Sequence, residues 1–296
     1  MSRFDLNGAN VLVTGASRGI GPHIAAALAQ RGARVALVAR SAGELTTVAT
    51  QLTRSTATAV AIPADVASSE GRRAAVEAAE RKLGPLDVLV NNAGGDLQRE
   101  FHRLDEDEIR AVLELNLTSA VMLARLVLPG MSERGRGHVV NVSSMAGRTS
   151  FPYSEAYAAA KDGVIGFTRV LRADYRRHGV SASTLILGPV RDAGLGARTA
   201  AELDLRLPPL VTVPPQTVAK ATVRAITKDK SEIAVLHGPG RTMRAVMDRF
   251  PGMGPAMNRI TGTETTMRTV ADLRERQAAM TSQAADLTAL RPRVTG

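Results

Sequence analysis

Val11-Leu12-Val13-Thr14 runs directly into Gly15-Ala16-Ser17-Arg18-Gly19-Ile20-Gly21. Four residues suited to a buried strand meet a glycine-rich turn, and the apolar spacing beyond it predicts a helix reaching about Gln30. Glycines at 15, 19 and 21 permit a tight turn and a close backbone approach, leaving helix amides aimed at an anion such as a pyrophosphate. A glycine cluster alone is a weak signal; its place immediately after the first strand is what points to a nucleotide.

The same rhythm repeats along the chain. From Asn10 to about Leu236 a short Val/Leu/Ile run, a turn and ten or more residues of helical spacing follow one another. Strands are predicted at Val11 to Thr14, Arg34 to Ala39, Thr58 to Ile62, Leu86 to Val90, Gly137 to Val142, Val180 to Leu187 and Glu232 to Leu236. Several are apolar throughout, as expected of a parallel sheet covered by helices on both faces. The pattern therefore predicts an α/β fold, a doubly wound sheet of about seven parallel strands flanked by helices. Ligands of such sheets sit beyond the carboxyl ends of the strands, so the residues there come first for inspection.

Composition narrows the chemistry. The chain has 296 residues, 44% hydrophobic and 22% charged, enough for one large α/β domain or two small ones. It has no cysteine, which excludes disulfides, thiolate nucleophiles and sulfur-held zinc. No window of the sequence reads as the roughly 18 to 20 apolar residues that span a bilayer, and Met1 to Asn10 lacks an apolar signal core. The cytoplasm is the simplest compartment for such a chain, and no integral membrane segment is expected. Of the formal charge of +10, Gln216 to Gly296 carries +6, with thirteen Lys and Arg against seven Asp and Glu. No basic run there interleaves with aromatics, so a nucleic-acid partner is not expected.

The carboxyl-terminal part reads differently. Met243, Val246, Met247 and Phe250 lie opposite Arg241, Arg244, Asp248 and Arg249, the spacing of a short amphipathic helix. Val270, Leu273, Gln277, Met280, Ala284 and Leu287 keep a three-four spacing that suits a packing seam. We expect residues 1–240 to form the main domain and 241–296 a helical extension. A tail helix lying on its own domain, a subunit-exchanging arm and a membrane-surface contact all fit that extension.

Other strand ends add to the nucleotide reading. The second ends Val38-Ala39-Arg40, where a carboxylate would bind both ribose hydroxyls of NAD. With Arg40 there and Arg18 in the glycine loop, two guanidinium groups suit a 2′-phosphate, which implies NADP(H). Asp65 and Val66 follow the third strand, placed to meet an adenine amino group and ring. Asn91, Asn92, Ala93 and Gly94 follow the fourth, where small residues let the backbone pass an adenosine ribose and Asn side chains tie neighbouring strands. The fifth ends at Ser143-Ser144. On the next predicted helix, Glu155 to His178, Tyr157 and Lys161 share a face at i, i+4 spacing. A free phenol has a pKa near ~10, and an adjacent ammonium together with a bound nicotinamide would favour its phenolate.

Taken together, Thr14 to Gly21, Asn91 to Gly94, Ser144 and Tyr157-Ala-Ala-Ala-Lys161 resemble the short-chain dehydrogenase/reductase family over roughly Leu6 to Leu236. The resemblance implies a Rossmann-like fold. It also implies an NADP(H)-dependent oxidoreductase that interconverts a small-molecule carbonyl and an alcohol without a metal. In such enzymes a serine thirteen residues before the tyrosine polarises the substrate oxygen, which selects Ser144 over Ser143. Tyr157 is then the general acid in reduction, Lys161 binds the nicotinamide ribose, and Asn116 in Leu115-Asn116-Leu117 holds a water against the lysine. The cofactor set implied is Gly15, Ser17, Arg18, Gly19, Ile20, Gly21, Arg40, Asp65, Val66, Asn92, Ala93, Gly94, Tyr157, Lys161 and Val190. Members usually associate through long helices, which implies a homodimer or homotetramer.

One segment departs from the pattern. Where the family usually reads Pro-Gly-x-Val-x-Thr, this chain has Leu187-Gly188-Pro189-Val190-Arg191-Asp192. Ionised Asp192 donates no hydrogen bond, so either Arg191 offsets its charge or the segment swings away. The substrate loop, 193–215, is apolar through Leu195, Leu203, Leu205, Leu207, Leu210 and Val211, suiting a hydrophobic substrate or a lid that simply packs on the domain. Two other classes stay open: a catalytically silent NADPH sensor, and a hydrolase using Ser144 with Lys161 as base.

Overall fold

The computed structural model describes residues 4–54, 58–202, 204 and 212–289. Seven strands form one sheet: β1 (Asn10–Thr14), β2 (Arg34–Ala39), β3 (Ala59–Pro63), β4 (Val88–Asn91), β5 (Gly137–Ser144), β6 (Val180–Leu187) and β7 (Glu232–Val235). Their order is β3-β2-β1-β4-β5-β6-β7, and every pairing is parallel. The order reverses between β1 and β4, where a crevice opens at the carboxyl ends.

Alternation explains why these strands are apolar along their whole length. Val11, Val13, Val35, Leu37, Val88 and Val90 turn to one face, against α1 (Gly21–Ala29), α2 (Ala42–Arg54) and α8 (Pro215–Thr227). Leu12, Ala36, Val38, Leu89 and Val139 turn to the other, against α3 (Ser69–Leu83) and α5 (Ser119–Glu133). Each fully buried Leu or Val contributes about 1.5–3 kcal/mol, so the two layers hold the sheet rigid under the site.

The remaining helices are α4 (Glu106–Leu113), α6 (Glu155–Tyr175), α7 (Gly194–Glu202), α9 (Gly238–Arg249), α10 (Gly254–Ile260) and α11 (Thr263–Ala289). Between α4 and α5 the helix widens into a π turn over Glu114–Thr118, closed by Ser119 N–H donating to the Glu114 carbonyl.

Several sequence expectations shift. The third strand begins and ends one residue later and finishes on Pro63, tolerated because β3 is an edge strand. β4 starts at Val88, not Leu86, and runs to Asn91; β7 stops at Val235. β5 continues to Ser144 because its pairing with β6 persists through Ser144↔Leu187. α6 ends at Tyr175, and a 3-10 turn over Arg176–His178 closes on Gly179 in the left-handed region. One helical stretch, Glu106–Glu133, is after all long and apolar enough to cross a membrane. Here it is a core helix: Leu123, Ala124, Val127 and Met131 are buried against the sheet.

The tail begins as a helix lying on its own domain. Met247, Met267, Val270 and Ala271 are buried, and Leu273 and Gln277 are half-buried. The seam then ends, with Met280 exposed. Phe250 is also exposed, while the side chains of Arg241, Met243, Arg244, Asp248, Ala284 and Leu287 lie outside the described residues.

Candidate active site

The glycine turn is built around contacts that a side chain would destroy. A Cβ on Gly21 would stand 2.1 Å from the Gly15 carbonyl oxygen. Gly15 and Gly19 have φ +63 and +66, a region costly to residues with a Cβ. Ile20 is the N-cap of α1 and makes no side-chain cap, so the first-turn N–H groups have no intrahelical acceptor. Ser17 lies half-buried in the same turn.

The ends of β1 and β4 are knitted together. Thr14 Oγ1 accepts from the N–H groups of Asn92 and Ala93, both at 3.0 Å. Asn92 Nδ2 returns to the Thr14 carbonyl at 2.9 Å, and Asn91 Nδ2 donates to Asn141 Oδ1 at 2.8 Å. These amides tie adjacent strands, leaving the floor of the crevice to Gly15, Ala93 and Gly94.

Around this floor stand the other nucleotide candidates. Ala16 N–H donates to the Val38 carbonyl, which brings the glycine loop against the end of β2. Arg18 and Arg40 are exposed there, and neither pairs with a carboxylate among the described residues. Asp65 is exposed beyond β3, with Oδ1 accepting from Ala67 N–H at 3.0 Å, and Val66 is buried beside it. Arg72 fixes this corner by donating to the Val66 carbonyl at 2.9 Å and to Glu114 at 2.5 Å.

The chain after β6 stays at the crevice. Val190 is buried and bridges Val213 in parallel, and Arg191 N–H donates to the Val213 carbonyl. Asp192 is exposed in the left-handed region at φ +57. Arg191 Nε lies 3.3 Å from Thr212 Oγ1, so its described partner is a threonine rather than Asp192. Gly194 then packs on the glycine loop: a Cβ on Gly19 would stand 3.2 Å from its nitrogen. Within 193–215, Leu195 is half-buried, while Leu203, Leu205, Leu207, Leu210 and Val211 lie outside the described residues.

Beside the floor, four polar side chains converge. Ser143 and Ser144 turn opposite ways: Ser143 Oγ donates to the Lys161 carbonyl at 2.8 Å, fixing α6 to the sheet. Ser144 Oγ accepts from Ala146 N–H at 3.1 Å and hydrogen-bonds Tyr157. Lys161 is buried, 5.4 Å from the Tyr157 ring centroid, with Nζ donating to the Val142 carbonyl at 3.1 Å. Asn116 sits in the π turn, a widened geometry frequent at functional sites. Its Nδ2 donates to the carbonyls of Val112 and Gly95, and its Oδ1 accepts from Gly95 N–H. A Cβ on Gly94 would lie 2.8 Å from Asn116 Oδ1 and 3.3 Å from Lys161 Nζ, so only glycine leaves that corner open.

The electrostatics of the group are set by burial. Burial pushes the Tyr157 phenol above its ordinary range, and the hydrogen bond with Ser144 only partly offsets this. Burial also lowers Lys161 itself to about 8.

The profile of the short chain dehydrogenase family matches residues 9–203. The chain belongs to the short-chain dehydrogenase/reductase family. It is 37% identical over 234 residues to the ketoacyl reductase HetN of Nostoc sp., covering 79% of this chain and 80% of that one. With the 3-oxoacyl-[acyl-carrier-protein] reductase FabG of Vibrio cholerae it shares 37% over 185 residues, 62% of this chain and 75% of the relative. A metagenomic short-chain oxidoreductase crystallised with NADP superposes with a TM-score of 0.67 at 31% identity, over 78% of this chain and 98% of that one. As a member of this short-chain family the protein is an oxidoreductase acting on CH–OH groups, with a nicotinamide cofactor and a small-molecule substrate.

Sequence reading missed one member of the group. Asp96 lies two residues beyond Gly94, and its Oδ2 accepts from Ser154 Oγ at 2.6 Å. Burial raises its carboxyl to about 6. A carboxylate closely following a strand end was the available signal, passed over because the motif stops at Gly94.

Proposed function

We propose that the protein is an NADP(H)-dependent reductase that converts a ketone or aldehyde to an alcohol, with a hydrophobic 3-oxoacyl group as the favoured class. The observation that carries this reading is the meeting of Ser144, Tyr157 and Lys161 beside a glycine-built nucleotide crevice. The residues fit the cofactor: cradling glycines at 15, 19, 21 and 94 leave room where side chains would intrude. Gly15, Ser17, Gly19, Ile20 and Gly21 would hold the pyrophosphate, Asp65, Val66, Asn92 and Ala93 the adenosine, and Val190 the nicotinamide side. Arg18 and Arg40 would take the 2′-phosphate.

A bound NADPH supplies the hydride; the side chains manage the oxygen. Ser144 hydrogen-bonds the carbonyl oxygen and stabilises its growing negative charge, and Tyr157 delivers a proton to the same atom. A phenol held above its ordinary range still carries that proton at neutral pH, as reduction requires. Lys161 would bind the ribose and, as an ammonium ion, favour release of the phenol proton, while Asn116 orients the corner it shares with Gly94. The acyl class is supported by the names of the relatives, ketoacyl and 3-oxoacyl reductases. The hydrolase reading loses ground because Lys161 Nζ is engaged by the Val142 carbonyl and Ser144 by Tyr157.

Self-association belongs to the same reading. Val170 is exposed and Phe167 half-buried on α6, facing Leu126 on α5 across one shared cavity. That apolar face suits a homodimer or homotetramer.

Titrating NADPH and NADH by nicotinamide fluorescence, then offering 3-oxoacyl thioesters and simple ketones, tests the proposal. Arg40→Ala is expected to weaken NADPH about 10- to 100-fold, the worth of a charge-assisted hydrogen bond, with NADH changed little. Equal losses for both cofactors would remove Arg40 from the 2′-phosphate site.

A further inference from the structure

Three separate stretches of chain meet two by two. In the loop after β4, Gln98 Oε1 accepts from Thr199 Oγ1 of α7 at 2.8 Å, and both residues are buried. The next residue, Arg99, turns to α11 instead: its Nε lies 3.0 Å from Glu275 Oε1 and its Nη2 3.2 Å from Oε2, a two-pronged grip on one carboxylate. Arg274, the residue before that carboxylate on α11, pairs its Nη2 with Glu202 Oε2 at the end of α7, at 2.7 Å. The loop, α7 and α11 therefore close a triangle in which each is joined directly to the other two.

The sides of this triangle differ from a solvated surface pair, which water screens to little effect. The side chain of Arg99 is nearly buried and also pairs with Glu108 of α4, and Arg274 Nε is buried with no partner among the described residues. Guanidinium groups withdrawn this far from water are costly unless their carboxylates stay in place. Gln98 sits at φ +55, a region uncommon outside glycine, and its contact with Thr199 helps to hold that backbone. At its other end α7 rests on the glycine turn. A Cβ on Gly194, its first residue, would stand 3.2 Å from Ile20 Cδ1, and one on Gly19 would stand 3.2 Å from the Gly194 nitrogen. One end of α7 is thus set by the nucleotide turn and the other by the tail.

We propose that Arg274 and Glu275 are positioning residues: by gripping Glu202 and Arg99 they make α11 the strut that seats α7 against the loop after β4, and so set how tightly the substrate is held. The seating of α7 stands on the contacts alone. Its effect on the substrate rests on the reductase reading, in which α7 belongs to the substrate loop. Both residues lie beyond the stretch matched by the family profile, which ends at residue 203, so the strut is supplied by the extension and not by the shared domain.

The consequence separates binding from turnover. With one side of the triangle cut, α7 spends part of its time unseated, and the apparent affinity for substrate falls in proportion to the seated fraction. A saturating substrate that contacts α7 draws it back into place, so kcat changes little while KM rises. Loss of folded protein alone would do the reverse, lowering kcat at constant KM.

The test uses the full chain. Backbone amide exchange over Gly194–Glu202 is followed by mass spectrometry without cofactor, and KM and kcat are measured in parallel with NADPH and a 3-oxoacyl thioester. Arg274→Ala and Glu275→Gln are each expected to speed exchange in α7 about 3- to 10-fold, with β4 and β5 as protected as before. KM should rise by a similar factor, with kcat held within about twofold. Arg274→Glu combined with Glu202→Arg rebuilds the pair with its charges exchanged and is expected to return both readings toward the wild type. Glu202→Gln, at an exposed position on the helix end, carries the test should Arg274→Ala fail to fold. Exchange in α7 that stays unchanged when either end of the strut is cut overturns the proposal, as does faster exchange with an unchanged KM in an active enzyme. Faster exchange in a protein that reduces no carbonyl sustains the seating of α7 and defeats the reductase reading instead.

Discussion

Tyr157, Ser144 and Lys161 show how burial and chemistry are balanced residue by residue. Burial favours the protonated phenol, and it lowers the ammonium beside it to about 8. His138, at the opposite end of β5, shows the same desolvation without a chemical role. It is buried, with Nε2 2.8 Å from Ser183 Oγ, and that hydroxyl donates to the Lys230 carbonyl at 2.5 Å. Ser183 has therefore spent its proton, so His138 donates through Nε2–H as a neutral ring. Burial holds its folded pKa at about 4, against 6.5 for an exposed histidine. Above pH 6.5 neither state binds the proton; between 6.5 and 4 the unfolded chain binds it first. Stability should therefore fall on acidification across that window, by on the order of 3 kcal/mol at about 1.36 kcal/mol per pH unit. Denaturant midpoints recorded from pH 7 to pH 4 check this. His138→Gln should flatten that part of the curve, and an equally steep fall in the variant would assign the loss to other groups.

At the scale of elements, strand ends and one widened helical turn place the site. β5 delivers Ser144, α6 delivers Tyr157 and Lys161 one turn apart, and the π turn delivers Asn116 to the loop after β4. Gly94→Ala is the sharpest test of that arrangement, because its Cβ would stand 2.8 Å from Asn116 Oδ1 and 3.3 Å from Lys161 Nζ. Gly94 is exposed, so little stability should be lost. Displacing the corner by a fraction of an ångström should cost turnover about 10- to 100-fold. Unchanged kcat with unchanged folding would mean that Asn116 and Lys161 yield freely and the corner is not a fixed part of the site. Much of this was legible in the sequence because it is local. Strand, glycine turn and helix follow one another within Val11 to Gln30, and Tyr157 and Lys161 share a face by spacing alone. Asp96 and Ser154 were not legible, since their contact joins positions 58 residues apart and neither stands in a periodic pattern. The apolar run across α4 and α5 was passed over in the sequence although Glu106–Glu133 is long and apolar enough for a span; composition cannot tell a core helix from a span, and packing on the sheet decides it.

Across the whole molecule, the tail is tied to the segments that follow β4, β5 and β6. Arg99, with a side chain 11% exposed, pairs with Glu275 of α11 at 3.0 Å and also with Glu108 of α4. Arg274 pairs with Glu202 of α7 at 2.7 Å, Arg268 lies 3.3 Å from Tyr153 Oη, and Gly254 packs on Ser150. Part of the basic excess of the tail is thus matched by carboxylates inside the chain. Glu275→Ala leaves a nearly buried guanidinium with one carboxylate instead of two. It should lower unfolding free energy by about 1–3 kcal/mol, read by denaturant titration. A loss near zero would show α11 to be only loosely laid on the domain. The family profile ends at residue 203, so nothing in the motifs foretold these contacts.

Whether the three converging side chains reduce a carbonyl with a nicotinamide bound beside them decides the proposed function. The direct measurement loads the protein with one equivalent of NADPH and mixes it rapidly with a 3-oxoacyl thioester. The near-ultraviolet absorbance of the reduced nicotinamide is then followed in the wild type and in Tyr157→Phe. The expected result is stoichiometric decay in the wild type and a rate roughly 10²–10⁴-fold lower in the variant, with NADPH affinity retained. Equal rates in the two proteins, or bound NADPH that no carbonyl oxidises, would contradict it.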